Sequence, residues 1–321
     1  MAARFACAHA DQVAKAVASG GATRSALVAS WRRSAQLHQL DPAADAPPRR
    51  LPAARLAEAR ETTEPVLRVA VPALDRLYRA IGGGGCSALL ADGAGVSLER
   101  RGDAGDDKTF DAWGLWTGAV WSEEAEGTNG IGTCLVEQRP LTVHRAQHFF
   151  ARNALLSCST APVFDERGRL AAALDVSSCR DDHTEGFARL VALAVVETAR
   201  RIEAELFRQA FPKARIVVAT AAETLGPALL AIDADDLVVG ATRAARAAFG
   251  LASPSIASGL PAEAVLGEER SDSEGLASAQ RAALRRALAR SDGNVSKAAA
   301  ALGVSRATLH RKLRRLGVSE G

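Results

Sequence analysis

The chain of 321 residues carries 40 Lys and Arg against 37 Asp and Glu, a formal net charge of +3. The length allows two or three domains, each able to bury a core. Five widely spaced cysteines without a Cys-x-x-Cys pair argue against a disulfide framework and a structural zinc site. No apolar run approaches a membrane span of roughly twenty residues, and the N-terminus has no signal-peptide core. We therefore expect a cytoplasmic protein that does not bind membranes.

The first 60 residues are predicted to be a helical segment with a proline-rich interruption between Asp41 and Pro52. Trp31 lies in a short predicted helix, where a lone tryptophan is typical of a core anchor. Four consecutive glycines, 82–85, are not followed by the Lys-Ser or Lys-Thr of a phosphate loop, so they predict a turn before a strand.

Residues 61–207 have the pattern of an α+β domain: an antiparallel sheet with helices on one face. Short apolar runs separated by turn residues predict strands at 87–91, 96–98, 140–144, 158–164 and 170–176. A long amphipathic helix is predicted from Asp182 to Phe207. Its apolar stripe is Phe187, Leu190, Val191, Ala194, Val195, Ile202 and Leu206.

The segment between Gly114 and Cys134 is rich in glycine and tryptophan. Glycines let a loop pass close to a sheet or a bound molecule, and Trp116 and Trp121 offer large apolar walls. Together with neighbouring motifs, this segment resembles the GAF sensory domain of acetoin catabolism regulators over about residues 25–207. The motifs that carry the resemblance are Trp121-Ser-Glu, Gly127-Thr-Asn-Gly-Ile-Gly-Thr133, Arg139-Pro, His144, His148-Phe, Cys158-Ser, Ala161-Pro-Val-Phe-Asp165 and Leu174-Asp-Val-Ser177.

The resemblance implies a pocket that admits a small effector and controls transcription. A small, mostly apolar ligand of the ketone, aldehyde or alcohol class suits aromatic walls with a few polar groups. Matching of the motifs places the effector-binding residues at Trp116, Trp121, Glu123, Asn129, Cys158 and Asp175. The alternative is that these residues only rigidify the domain.

Other chemistries remain open at this stage, although we assign no cofactor, no metal site and no enzymatic activity. His144 and His148, with Glu137 and Cys158 nearby, would offer ligands for iron or zinc. A redox or gas sensor would use Cys134, Cys158 or Cys179 as an exposed thiol of low pKa. An enzyme using a cysteine is the weakest alternative, because no third orienting group can be named.

Residues 208–252 resemble the opening of a PAS domain, with Thr242 where an asparagine is typical, and 253–275 are predicted to be a linker. Most members of the resembled family carry an ATPase domain here that remodels RNA polymerase containing sigma-54. This stretch contains no Gly-x-x-x-x-Gly-Lys-[Ser/Thr] motif and is too short for that fold. We therefore expect contact with ordinary RNA polymerase, repression by occupancy, or action alongside a full-length regulator.

Residues 276–321 carry ten Lys and Arg against two acidic residues, a charge of +8, so the upstream residues sum to −5. Such a basic module on an acidic body is typical of a nucleic-acid binder. Asn294 and Ser305 are predicted caps of two helices joined at Gly303, and the second helix directs Leu309, Leu313 and Leu316 inward. The pattern resembles the helix-turn-helix of Fis-type regulators, with 279–291 as its leading helix.

This resemblance implies binding to double-stranded operator or promoter DNA by a homodimer, because half-sites occur in symmetric pairs. Basic residues of the second helix reach base edges and phosphates in the major groove. Arg306, Thr308, His310 and Arg311 are predicted to carry sequence preference, and Lys312, Arg314 and Arg315 to contact phosphates. The full predicted DNA-binding set is Asn294, Ser296, Ser305, Arg306, Thr308, His310, Arg311, Lys312, Arg314 and Arg315.

Overall fold

The computed structural model describes residues 2–19, 21, 25–81, 83–180, 184–219, 226–234, 236–253, 256, 260–266, 280, 283–284, 287–288, 291 and 294–316. These residues form two compact units, one within 1–262 and the other within 263–321. None of the helices in this described part of the chain combines the length and the hydrophobicity that a membrane span requires.

Four helices precede the first sheet. They are α1 (Ala2–Ala18), α2 (Ala26–Arg32), α3 (Ala53–Thr62) and α4 (Glu64–Ala80), and α2 continues into a π-helical turn at Arg33–Leu37. Trp31 is buried beside Val13, Phe149 and Phe150, and its indole N–H donates to the carbonyl of Gln147 at 2.9 Å. The predicted role of Trp31 as a core anchor is confirmed, and the N-terminal helices pack on the domain that follows.

The first sheet has five strands, which are all antiparallel in the order β2-β1-β5-β4-β3. In chain order its elements are β1 (Cys86–Asp92), β2 (Ser97–Gly102), α5 (Asp107–Ala112), α6 (Glu123–Glu126), α7 (Gly130–Glu137), β3 (Leu141–His144), β4 (Ser157–Phe164) and β5 (Leu170–Ser178). The α+β class and the antiparallel sheet are therefore confirmed.

One face of the sheet packs against α4 and the long helix α8 (Glu185–Ala210). Alternate strand residues such as Ala88, Leu90 and Leu174 join this core. The predicted apolar stripe of α8 is wrong at one position, because Leu190 is 66 % exposed and Val191 and Val195 take the buried face. The reason is that a helix of 3.6 residues per turn cannot direct both Leu190 and Val191 fully inward.

The opposite face is also covered, so the prediction of helices on one side only is wrong. It carries Cys158 and Asp175, two of the predicted effector-binding residues, and is here called the effector face for that prediction. Helix α7 packs on β4 and β5 from this side. Leu89 and Ala173 of the central strands meet Phe110, Trp121 and Ile131 there in a second core. Strands buried on both faces read as continuous apolar runs, which explains why Leu89-Leu90 and Ala171–Leu174 do not alternate with polar residues.

A second, four-stranded antiparallel sheet follows α8, in the order β6-β7-β8-β9. Its elements are β6 (Arg215–Val218), β7 (Leu229–Ile232), β8 (Leu237–Ala241), α9 (Arg243–Phe249), β9 (Leu260–Pro261) and α10 (Ala262–Leu266). Phe207 at the end of α8 packs against Leu229 and Ala231, which anchors this sheet to the first domain. Residues 267–275 of the predicted linker lie outside the described residues.

The C-terminal unit contains α11 (Val295–Ala301) and α12 (Arg306–Arg315). Gly303 adopts a left-handed φ of 64°, and the N–H of Val304 donates to the carbonyl of Ala299, which closes the turn. Leu284 and Leu288 belong to the predicted leading helix, which is only partly described, and they pack against Leu309 and Leu313. The helix-turn-helix prediction is thereby borne out for the described residues.

Candidate effector site and nucleic-acid interface

Asp175 lies at the centre of a buried polar cluster on the effector face. Its carboxylate accepts from the Thr160 hydroxyl at 2.5 Å and from the Ser177 hydroxyl at 2.7 Å. Strand pairing places Thr160 directly opposite Asp175, which brings the two oxygens together. Burial raises the pKa of Asp175 to about 6, and the two hydrogen bonds oppose that rise. A buried carboxylic acid whose pKa is raised toward 7 is a common feature of functional sites.

Cys158 and His148 extend this cluster across the sheet. The Sγ of Cys158 lies 3.3 Å from His148 Nε2 and 3.1 Å from Ser177 Oγ. His148 Nδ1 lies 3.0 Å from the carbonyl of Arg145, which only accepts, so Nδ1 carries the proton and Nε2 accepts from the thiol. Burial lowers the pKa of His148 to about 4 and raises that of Cys158, so both groups are neutral at pH 7.

The N-terminus of α7 closes the cluster. Asn129 caps the helix by accepting from the N–H of Gly132 at 2.8 Å. A Cβ placed on Gly130 would lie 2.5 Å from Thr160 Oγ1 and 2.7 Å from Cys158 Cβ. Glycine at this position therefore lets the helix backbone approach the polar cluster closely.

The six predicted effector-binding residues are not all brought together and occupy three separate places. Asn129, Cys158 and Asp175 surround the start of α7, and Trp121 belongs to the same buried core with its N–H bonded to the carbonyl of Gly114 at 2.9 Å. Trp116 lies apart and covers the guanidinium of Arg100 at 4.3 Å.

Glu123 is buried outside this core, where Arg33 binds its carboxylate. It borders an open cavity of about 810 Å³ near α3. A further cavity of about 500 Å³ lies between the other face of the sheet and the start of α8, and none of the six residues lines it.

Four residues of the effector face were missed by the sequence reasoning: Ser87, Arg100, Thr160 and Ser177. Arg100 pairs with Leu89, so its side chain projects from the same face as Asp175. Its Nε donates to Ser87 Oγ at 3.0 Å, and Ser87 is paired with Ser177. The available signal was Asp175 and Ser177 at alternate positions of a strand that is apolar from Leu170 to Leu174.

The metal and thiol alternatives receive no support from this geometry. Within the described ranges, no group of three or more His, Cys, Asp or Glu is placed to hold a metal ion. His144 is hydrogen-bonded to Ser157, and Glu137 is paired with Arg33. Burial raises the pKa of Cys134 and of Cys158, which is opposite to the environment of a reactive thiol.

The candidate nucleic-acid interface is the outer surface of α12. Ser305 caps the helix by accepting from Thr308 N–H at 3.1 Å, as Asn294 caps α11 by accepting from Lys297 N–H. Leu309 and Leu313 are buried. The basic residues of α12 remain exposed or half-buried on the other side: Arg306, His310, Arg311, Lys312, Arg314 and Arg315. Ser296 is also exposed, whereas Arg315 Nη2 donates to Gln280 Oε1 at 3.1 Å.

The chain joins a sensor-like α+β domain to a helix-turn-helix. This combination is that of the transcription regulators with a Fis-type DNA-binding domain. Residues 275–316 match the model of the bacterial regulatory proteins of the Fis family, and residues 6–203 match that of the MimR N-terminal domain. The second match covers more than half of the chain, which therefore belongs to the family with a MimR N-terminal domain.

Two relatives agree with this assignment. The acetoin catabolism regulatory protein of Cupriavidus necator is 36 % identical over 221 residues, which cover 68 % of this chain and 33 % of the relative. The acetoin dehydrogenase operon transcriptional activator AcoR of Bacillus subtilis is 30 % identical over 174 residues, 53 % of this chain and 29 % of the relative. The chain thus spans about a third of the length of these relatives.

Similarity in fold extends to a chain of the E. coli DhaR(N)–DhaL complex. The TM-score is 0.52 at 16 % sequence identity, and the match covers 77 % of this chain and 81 % of that chain. At this level of identity the likeness supports the fold alone.

Proposed function

We propose that this chain is an effector-responsive transcription regulator that binds specific duplex DNA through α12. The observation that carries the proposal is the basic outer surface of α12, opposite the buried Leu309 and Leu313. A helix with this division, capped at Ser305 and held by a tight turn at Gly303, suits insertion into the major groove. Arg306 and Arg311 are the exposed guanidinium groups best suited to base edges, whereas Arg314 suits phosphate contacts.

The proposed signal is a small ketone, aldehyde or alcohol that binds on the effector face. Asp175, Ser177 and Cys158 provide a compact set of polar groups, and Trp121 and Phe110 provide apolar surroundings. This combination suits a ligand with a short hydrocarbon body and one or two oxygens. The names of the two relatives, both concerned with acetoin, favour the same chemical class.

The output proposed here does not depend on ATP, because no phosphate-loop motif separates the sensor-like domain from the helix-turn-helix. DNA binding would then change transcription in one of three ways: by contact with RNA polymerase, by repression through occupancy of the site, or by action with a full-length regulator. A homodimer fits paired half-sites, and α8 supports one because Leu190 and Leu193 are 66 % and 58 % exposed.

The DNA-binding proposal is tested with the full chain and a library of random duplexes, from which bound sequences are selected and then measured in a gel-shift assay. We expect a reproducible motif, bound with an affinity that falls steeply with salt. Arg306→Ala combined with Arg311→Ala abolishes the preference for that motif, whereas Arg55→Ala, on the exposed surface of α3, leaves it unchanged. Absence of any enriched motif from well-folded protein would refute the proposal.

The effector proposal is tested separately by isothermal titration of the full chain with acetoin and with butan-2-one. Saturable binding that is lost on Asp175→Ala supports the site on the effector face. If the folded wild-type protein binds neither compound, the effector proposal is refuted and the DNA-binding proposal is not affected.

A further inference from the structure

Arg100 is the one guanidinium that reaches the effector face from β2. Its side chain is only 9 % exposed. Its guanidinium carbon lies over the ring of Trp116, 4.3 Å from the ring centroid, and over that of Phe110, 5.5 Å from the centroid. Stacking of this kind holds a guanidinium in one plane and shields it from water.

The edge of the same guanidinium is held at two of its three nitrogens. Nε donates to Ser87 Oγ at 3.0 Å, and Nη1 donates to Asp107 Oδ1 at 2.7 Å. Nη2 is buried and has no hydrogen-bond partner among the described residues. A buried donor without an acceptor is costly to leave unpaired, so its presence calls for an explanation such as a bound acceptor.

Gly102, two residues along the same strand, leaves room for Nη2 because it has no side chain. A Cβ on Gly102 would lie 2.2 Å from Nη2, so glycine at that position provides the room that the group occupies. Trp116 is half-buried and covers the guanidinium from outside.

We propose that Nη2 of Arg100 is the donor that recognises the oxygen of the effector, and that the ion pair of Arg100 with Asp107 makes the site select a neutral oxygen over a carboxylate. This inference rests on the proposed effector function. The charge of Arg100 is already balanced by Asp107, and Asp103 and Asp106 lie in the same short segment. An anionic ligand would meet the Asp107 carboxylate, whereas a neutral acceptor gains a charge-assisted hydrogen bond without that repulsion.

Butan-2-one and propanoate test the charge preference, because they have the same number of non-hydrogen atoms and differ in charge. Isothermal titration of the full chain is expected to show at least tenfold tighter binding of butan-2-one. Equal or tighter binding of propanoate would overturn the inference.

Arg100→Lys keeps the positive charge but loses the planar fork, and we expect it to weaken binding of butan-2-one about tenfold or more. Arg101→Lys is the matched control, because Arg101 projects from the opposite face of β2 and pairs with Asp75. Binding by Arg100→Lys within twofold of the wild type would contradict the role of Arg100.

Asp107→Asn tests whether Arg100 contacts the ligand, because a purely structural role of Arg100 would leave the ratio of the two affinities unchanged. Removing the balancing carboxylate is expected to raise the affinity for propanoate relative to that for butan-2-one. Asp107 is partly exposed on α5, so the variant is expected to fold even where Arg100→Lys does not. If Asp107→Asn leaves the ratio of the affinities for propanoate and butan-2-one unchanged, the inference is refuted. If the wild type binds neither butan-2-one nor acetoin, the effector proposal itself is refuted.

Discussion

The guanidinium of Arg33 binds both carboxylate oxygens of Glu123: Nε lies 2.8 Å from Oε1, and Nη2 lies 3.0 Å from Oε2. The Glu123 side chain is 1 % exposed and that of Arg33 is 28 % exposed. Hydrogen bonding to Glu123 is the main cause of the raised pKa of Arg33. This bidentate pair ties the segment after α2 to the start of α6, close to the buried core of the effector face.

Arg33→Ala is expected to lower the free energy of unfolding by about 2 to 3 kcal/mol, because it leaves a buried carboxylate without its partner. Urea denaturation of the full chain measures the loss. The matched control is Arg55→Ala, which breaks an exposed pair with Glu58 and is expected to cost about 0.5 kcal/mol or less. Similar losses in the two variants would show that the Arg33 pair is no more important than a surface ion pair.

Gly130→Ala is expected to destabilise the protein by about 1 to 3 kcal/mol, because the new methyl group overlaps Thr160, Cys158 and Asp175. Gly186→Ala is the control within a helix, since its Cβ meets nothing closer than Thr184 Oγ1 at 3.8 Å. There alanine is expected to be neutral or stabilising. Thermal unfolding of both variants checks the contrast, and a stable Gly130→Ala protein would contradict the close packing of α7.

Titration of Asp175 is expected to lower stability as the pH rises from about 4 to 6. Its pKa is about 6 in the folded protein and 3.8 ordinarily, so the folded state binds more protons in this window. Asp175→Asn removes this titration. The free energy of unfolding of the wild type, measured relative to this variant, should fall by about 3 kcal/mol across the window. A difference independent of pH would contradict the raised pKa.

His148 is expected to act in the opposite direction. Burial lowers its pKa from 6.5 to about 4, so the folded state binds fewer protons than the unfolded state and stability rises with pH between these values. His148→Gln removes that rise, and urea denaturation between pH 4 and 6.5 measures it. The wild type should vary less with pH than either variant, because the contributions of His148 and Asp175 offset each other. If the stability of the wild type changed more steeply with pH than that of both variants, the opposite pKa shifts of His148 and Asp175 would be contradicted.

Arg306→Ala is expected to cost about 1 to 3 kcal/mol on the selected DNA motif and to relax the preference at one base position. Arg314→Ala is expected to weaken binding to all duplexes alike and to reduce the slope of log K against log salt by about 1. Arg314 suits this comparison better than Arg315, whose guanidinium is bonded to Gln280. Gel-shift titrations at several salt concentrations distinguish the two. Identical behaviour of the variants would contradict the groove assignment.

Much of the effector face could be anticipated, but its contacts could not. The motifs around Asn129, Cys158 and Asp175 pointed to one region, and the structure brings these three together. Arg100 escaped notice because the sequence shows it only as one of two adjacent arginines. Which of the two faces the aromatic core depends on strand pairing and on the packing of α5, both of which involve residues distant in sequence.

The sequence by itself determined the helix-turn-helix and the positions along the chain of the strands in the first sheet domain. Capping, the Gly303 turn and leucine spacing act between residues within about one helical turn, so they are readable locally. Only the tertiary structure decided that both faces of the sheet are covered, that Arg33 binds Glu123 and that His148 meets Cys158. These contacts join residues far apart in the chain, and the free energy that selects them comes from the packing of the whole domain rather than from local pattern.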